Sequence, residues 1–591
     1  MVSPTPIVDE EIGPRVDGPS KISHSRQRVS TFVNACLSAC GMISFVKTDG
    51  VLAQLNIPAA VTAELSLGTR LMPPRWDCLA LINESEAVAR QIQSSLSKNS
   101  HAMPAGNIYA DKPRGGARPL NIMRLQDRVL YRALTDVLLE DLPDRFHSRP
   151  PFAEFARQPL SNEVNHYVSK SDINSYYVYV DHEILADELI AQTGNELAVR
   201  ALTDLLGQVM GRRFGIPQVH PCSDRLGDVY IDVVRRRLIR RGYDVYTYSD
   251  DLRVGTKSLR AARHAVQDCA REASKLGLVL NERKTKTYLR DNYESSLENH
   301  IQAEQRILSG TGAVNLDVAN AFLMQDDYSD VVDIGVLDAV LEQLGGLEGN
   351  DTGFDEEDQL RSQDSGSFNA SGQFDSWEPA NEEDARQGQI AAAVWDLWAS
   401  QSGEPSRDAP ILQDLLEKAL PTLGRMGHPG PLDKLRTLLT SVPGLTPRIS
   451  QYLVHYGLHA GLSRAQGRTA RGSVRRALAE VIVDGPLSDW QELWLADTIG
   501  LIPRTRPNSP LVTWLFTCVE SGSSAVVATA ASALTRLGFG DAERFKVALD
   551  HVGMEWRQLL YFALAKSDAQ LAEDLSDGRL DLLLLSALRD E

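Results

Sequence analysis

The chain reads as an α+β fold followed by an all-α region, and three observations carry that expectation. At residues 246–254 β-forming residues flank a tight turn, so the stretch reads as a hairpin that brings two adjacent carboxylates, Asp250 and Asp251, to its tip. Around it, between residues 107 and 286, the patterns follow in the order strand, helix, loop and helix, hairpin, helix, strand, which suits a small antiparallel sheet backed by helices. After residue 388 nearly every segment has helical spacing, with breaks at Gly and Pro.

Composition bounds the reading. A chain of 591 residues has room for about two to four domains, and 43% hydrophobic with 24% charged residues is ordinary for globular protein. Residues 1–26 combine Pro, Gly and acids without an apolar run; they are expected to be disordered and resemble neither a signal peptide nor an anchor. No apolar run reaches the length of a membrane span, so no membrane partner is expected. The six cysteines are scattered without paired CxxC units, which excludes the usual zinc spacings and fits reduced thiols in a cytoplasm. The net charge of −18 is concentrated: from Glu348 to Arg386 there are twelve acids against Arg361 and Arg386, a local net charge of −10. With its Gly, Ser, Asn and Gln content, residues 346–387 read as a flexible acidic linker. The remainder carries local basic clusters, notably Arg235, Arg236, Arg237, Arg240 and Arg241.

In chain order, residues 27–104 show helical periodicity broken by Pro58, Pro73 and Pro74 and carry no evident chemistry. Residues 108–122 read as a β-hairpin around Gly115-Gly116, bracketed by Lys112 and Arg118, two cations suited to a polyphosphate. A helix follows over 127–142. Residues 167–177 read as a short strand ending at Asp172, with Asp181 and His182 opening a helix as its N-cap region. A strand end there can place a third carboxylate beside Asp250 and Asp251, and three carboxylates suffice to hold two divalent cations. A Gly- and Pro-punctuated loop at 213–223 leads into a helix with its arginines largely on the face opposite its apolar residues. After the hairpin come a second amphipathic helix and the stretch 276–286, a turn and strand ending in a basic cluster.

These elements together resemble the fingers and palm of a reverse transcriptase. The likeness rests on the hairpin ending Arg118-Pro119-Leu120 with Asp127-Arg128, the strand Asp172-Ile173 with Tyr176-Tyr177, the loop Gly215-Ile216-Pro217-Gln218, the turn Tyr248-Ser249-Asp250-Asp251, and Gly277-Leu278 with Asn281 and Lys284-Thr285. It implies a right-hand polymerase: fingers and palm over 105–294, a helical thumb over 295–345, and beyond the acidic linker a helical domain over 388–591, either HEAT-like or a bundle. It implies that Asp172, Asp250 and Asp251, helped by the Ile173 carbonyl, bind magnesium, with manganese as an alternative. Arg118 and Lys112 are the expected triphosphate contacts, Gln218 belongs to the substrate-side loop, and Lys284 is the expected acid for departing pyrophosphate. Tyr177 falls at the steric gate, where a bulky ring excludes a 2′-hydroxyl, so the expected substrate is a dNTP. One departure stands out: Val219 occupies the place where the family usually has glycine after Pro-Gln, which stiffens the loop.

Within the family, the long helical C-terminal region resembles the bacterial abortive-infection (Abi) and defence-associated enzymes. That resemblance implies a bacterial cytoplasmic antiphage protein acting on nucleic acid, either copying a companion non-coding RNA or extending DNA without template from a protein primer. The helical domain is an expected route to homo-oligomers. The alternatives are a retron- or group II intron-type enzyme, or an inactive palm serving as an RNA-binding scaffold, which the full set of Asp172, Asp250, Asp251 and Lys284 disfavours.

Overall fold

The computed structural model describes residues 49–69, 71–98, 101–112, 115–297, 382–401, 409–458, 464–485, 487–503 and 505–590. Residues 1–26, the expected thumb beyond residue 297 and positions 346–381 of the acidic stretch lie outside these.

Four helices come first: α1 (Asp49–Leu52), α2 (Ile57–Leu65), α3 (Trp76–Ala80) and α4 (Ser85–Leu96). Asn56 starts α2 by accepting the Ala59 N–H, satisfying one of the amides a helix start leaves bare. Strands β1 (Gly106–Asp111) and β2 (Ala117–Ile122) form a separate antiparallel hairpin, with Gly106 opposite Ile122 and Asp111 opposite Ala117. Gly115 and Gly116 have φ of 86° and 88°, a region that residues with a Cβ enter only at a cost, so the Gly-Gly pair is what closes this hairpin. Helix α5 (Leu125–Glu140) follows and buries Val129, Leu130, Ala133, Leu134 and Leu138 along one stripe.

The central sheet is built from β3 (Tyr167–Asp172), β4 (Asp244–Tyr248), β5 (Asp251–Thr256) and β6 (Lys286–Leu289), in the spatial order β4-β5-β3-β6 and antiparallel throughout. Between β3 and β4 lie α7 (His182–Thr193), α8 (Glu196–Met210) and α9 (Pro221–Arg240), after the short α6 (Phe152–Arg157) that precedes β3. As expected, Asp181 is an N-cap: its carboxylate accepts the Glu183 and Ile184 amides, while His182 is buried against the Gly215 carbonyl. Val168, Leu252 and Val254 are buried in the sheet, and α9 and α10 (Leu259–Ser274) pack against it.

The arginine cluster of α9 is mostly structural. Arg235 and Arg236 pair with Asp232, Arg236 also with Glu188, and Arg237 and Arg241 with Glu272. This lattice ties α9 to α7 and α10, so most of its charge is already neutralised by acids of the same domain.

The second half is helical, from α11 (Glu382–Gln401) and α12 (Ala409–Arg425) through α13 (Gly430–Asp433), α14 (Leu435–Ser441), α15 (Thr446–Gly457) and α16 (Arg464–Asp484). It continues with α17 (Asp489–Gly500), α18 (Pro510–Ser521), α19 (Ser524–Arg536), α20 (Ala542–Leu549), α21 (Met554–Ser567), α22 (Ala569–Asp574) and α23 (Arg579–Asp590). Helix α11 begins six residues ahead of the expected boundary at 388, because the last acids of the acidic stretch form its first turn. Helices pack in chain order, α17 on α19 and α19 on α21, and the seam is tight: a Cβ on Gly500 would sit 2.7 Å from the Ala533 Cα.

This helical region is joined to the N-terminal helices and the β1–β2 hairpin through buried and partly buried polar contacts. Trp490 donates its indole N–H to the Leu71 carbonyl at 2.6 Å, and Ser488 Oγ lies 3.0 Å from Asp111 Oδ2 at the end of β1. Trp76 Nε1 and Arg536 Nη2 both donate to Asp497 Oδ1, at 2.9 and 2.7 Å, and the Arg536 guanidinium lies over the Trp76 ring at 4.4 Å. Cys78, Cys222, Cys269 and Cys518 are buried free thiols. Among the described residues no helix is long and apolar enough to cross a membrane.

Candidate active site

The site is assembled by strand register. In the β3–β5 pairing, Lys170 faces Arg253 and Asp172 faces Asp251, so the two acids sit at adjoining strand ends. The β4–β5 turn pairs Tyr248 with Asp251 and leaves Ser249 and Asp250 at its tip. The Ile173 N–H donates to the Asp250 carbonyl at 2.9 Å, which locks the end of β3 to that turn. On the other side Asn281 N–H donates to the Asp172 carbonyl at 2.7 Å, and Asn174 N–H to Val279, holding residues 279–281 alongside. The three expected carboxylates and the Ile173 backbone are thus brought together from segments almost eighty residues apart in sequence.

Electrostatics there are strained. Burial and the two neighbouring acids, Asp172 and Asp251, push the Asp250 carboxyl up to about 6. Cations answer the other two acids: Lys284 Nζ is 2.9 Å from Asp172 Oδ1, and Arg253 Nη1 is 3.1 Å from Asp251 Oδ1. Arg253 is 2% exposed, bonded also to Tyr293 OH and the Leu252 carbonyl, with its guanidinium 5.2 Å from the Phe155 ring centroid. Lys170 lies beside this group, its ammonium pulled down by burial and then by Arg253. From the β1–β2 hairpin, Lys112 is also lowered, by burial and by the cations Arg118 and Lys284, partly offset by Asp250 and Asp172. The two hairpin cations therefore belong to the same electrostatic neighbourhood as the carboxylates and Lys284.

As the side chains stand, no group of three His, Cys, Asp or Glu residues among the described residues is gathered to hold a metal. The donor set is nevertheless of the right kind for a hard divalent cation: carboxylate oxygens on facing strand ends, where opposed Cα atoms lie about 5 Å apart, with a third carboxylate whose charge is unfavourable until neutralised. Turning Asp172 from Lys284 and Asp251 from Arg253 would free the oxygens such an ion needs.

Tyr177 lies in the turn after β3, half-buried, with its ring 5.4 Å from that of Tyr176. Gln218 is held in the loop before α9 by its backbone N–H, which donates to Asn121 Oδ1 at 3.2 Å. Among the described residues the non-glycine positions of positive φ are Ser175 (51°), Val219 (64°) and Ser249 (50°), one in each loop that builds the site. Backbone strain of about 1–3 kcal/mol per such residue is usual where function dictates geometry. At Val219 the loop adopts the left-handed backbone that glycine takes freely and a β-branched residue resists. Val219→Gly is accordingly expected to raise stability by about 1 kcal/mol, seen as a higher melting temperature. An unchanged or lower value would mean that the packing of the Val219 side chain outweighs the strain.

Some residues of the site were not singled out from sequence. Arg253 was within reach, because residues i and i+2 of a strand share a face and Asp251 was already marked. Arg149 and Asp224 were not: they meet across 75 positions and no local pattern announces them. Elsewhere, Glu64 is fully buried beneath the loop, where burial would raise its carboxyl but His220, Arg128 and Arg132 hold it at about 2. A separate cavity of about 260 Å³ lies between α4, α5, α21 and α23 and shares no residue with the carboxylate site.

Residues 110–322 match the family model of reverse transcriptase (RNA-dependent DNA polymerase). The match takes in Lys112, Arg118, the three acids and Lys284. No curated protein matches the chain.

Proposed function

We propose that residues 105–294, with 295–345 as thumb, form a DNA polymerase that joins deoxynucleoside triphosphates to a hydroxyl primer. The match over residues 110–322 supports a nucleic-acid polymerase of reverse transcriptase type in this part of the chain. The observation that carries the finer reading is the β3–β5 register, which sets Asp172 opposite Asp251 with Asp250 on the adjoining turn.

In this reading Asp172, Asp250, Asp251 and the Ile173 carbonyl hold magnesium, or manganese in its place. Bound there, the ions supply activation of the attacking hydroxyl and neutralisation of the leaving pyrophosphate. The chain's own residues do the rest. Lys112 and Arg118 receive the triphosphate from the hairpin, Arg118 by paired N–H donors and Lys112 as a point charge. Lys284, more than half exposed and on Asp172, is placed to give a proton to pyrophosphate as it leaves. The Tyr177 ring walls the sugar side, and Gln218 with its loop lines the template side.

The setting we propose is bacterial antiphage defence. It is supported by the resemblance described above and by the long helical region, which is fastened to the β1–β2 hairpin and the N-terminal helices and leaves no room to treat it as an independent appendage. Synthesis then either copies a companion RNA or proceeds without template from the protein itself. Purified protein given labelled dNTPs is expected to incorporate them with Mg²⁺ or Mn²⁺. RNase sensitivity marks the RNA-copying branch, and label that stays with denatured protein marks protein priming. Equal, background-level incorporation by wild type and Asp250→Asn would overturn the polymerase reading.

A further inference from the structure

The phenol of Tyr177 does not end in solvent. Its oxygen is 2.5 Å from Asp224 Oδ1 and 2.9 Å from Ser249 Oγ. A carboxylate only accepts and a phenol has one proton, so Tyr177 donates to Asp224 and accepts from the Ser249 hydroxyl. The chain of bonds therefore has one direction, from the residue before Asp250, through the ring, to the first turn of α9.

The residue that bears the acceptor is held through its backbone. Arg149 donates to the Asp224 carbonyl at 2.7 Å and to Asp228 Oδ2 at 2.6 Å, and its guanidinium lies 5.3 Å from the centroid of the Tyr248 ring in the carboxylate hairpin. Behind the ring, Gly227 leaves no spare room: a Cβ there would be 3.1 Å from Tyr176 Cε1 and 3.4 Å from Tyr177 Cε1, and Tyr176 OH is bonded to the Gly227 carbonyl. The ring is fixed at its hydroxyl and lies close to Gly227, and the residue as a whole is half-buried.

We propose that Asp224 and Ser249 are positioning residues for sugar selection, holding the Tyr177 ring at the height where it meets a 2′-substituent and coupling that height to the turn that carries Asp250. This rests on the polymerase reading and adds to it a specificity device set by α9 and the turn rather than by ring size alone. A phenol held only by packing can tilt when a ribonucleotide presses on it. Anchored at its far end to the carboxylate of a residue whose backbone Arg149 holds, it cannot tilt without breaking a charge-assisted bond.

Single-nucleotide incorporation tests this through the ratio of kcat/KM for dATP and ATP. Tyr177→Phe keeps the ring and loses the bond, and is expected to lower the preference for dATP by about tenfold. Asp224→Ala is expected to do the same, whereas Asp224→Asn, which keeps an acceptor oxygen, retains most of the preference. Because all act through one bond, Tyr177→Phe with Asp224→Ala is expected to be no worse than either alone. Additive losses, or a Tyr177→Phe enzyme as selective as wild type while Tyr177→Ala is relaxed, would overturn the anchor and leave the gate standing. A Tyr177→Ala enzyme that still prefers dATP would overturn the gate with it. If wild type incorporates nothing, the polymerase reading fails separately, and melting-temperature shifts with Mn²⁺ plus dATP or ATP decide the anchor. A wild-type preference lost in Tyr177→Phe supports it; identical shifts in the two proteins refute it.

Discussion

Asp250→Asn is expected to cut nucleotide incorporation at least about a hundredfold, roughly 3 kcal/mol of barrier, and at the same time to stabilise the metal-free protein. Both effects have one cause. Asp250 stands beside Asp172 and Asp251 in a poorly solvated turn, and its carboxyl is raised from 3.8 to about 6. The folded state therefore holds this proton more tightly than the unfolded chain does. The resulting stabilisation is full below pH about 3.8 and is lost as pH rises through about 6, so at neutral pH the charged group costs on the order of 2 kcal/mol. Asparagine keeps the shape and removes the charge. In metal-free buffer the mutant should melt above wild type at pH 7, and the gap should close towards pH 4. If the proposed metal site is right, adding Mg²⁺ should reverse the order, because binding to the folded state stabilises the wild type by mass action while the mutant lacks one of the proposed carboxylates. A mutant that melts below wild type at pH 7 without metal would show that Asp250 is instead a satisfied, stabilising group.

The second large effect is expected far from the carboxylates. Asp497→Ala should destabilise the fold by about 3–5 kcal/mol, because it strands Arg536 and the Trp76 indole in a buried seam. Burial already lowers the Arg536 guanidinium, and Asp497 is what offsets that desolvation. The check is a paired substitution. Asp497→Leu with Arg536→Met removes both charges and should recover most of the lost stability, measured as the melting temperature and as resistance of the joined halves to limited proteolysis. A single mutant within 1 kcal/mol of wild type would mean that apolar packing alone holds the seam. A double mutant as poor as the single would mean that the shape of the pair, not its charge, is what matters.

The site itself shows how far a sequence can be read. That Asp172, Asp250 and Asp251 lie at neighbouring strand ends was legible because Asp172 ends one short β-pattern and the other two sit at the turn between two more. The Gly115-Gly116 turn and the Asp181 cap were legible because each demands a specific backbone conformation of its own residue. Val219 stood out in the sequence, but not the answer it receives: the loop keeps a positive φ and tolerates the strain. The arginines of α9 read in sequence as a local basic cluster, and most of them are paired with Asp232, Glu188 and Glu272. Charge along a helix is visible in sequence, whereas its neutralisation depends on neighbours folded in from elsewhere.

Local order, turn chemistry and the identity of the acids follow from interactions within a few residues, which is why the chain alone announces a small antiparallel sheet tipped with carboxylates. Partnerships across long separations do not. That Lys284 and Arg253 occupy the acids, that Tyr177 hangs between Ser249 and Asp224, and that α17 and α19 grip Trp76 all arise from packing, where the energy of a contact depends on geometry and desolvation that no short stretch of chain contains.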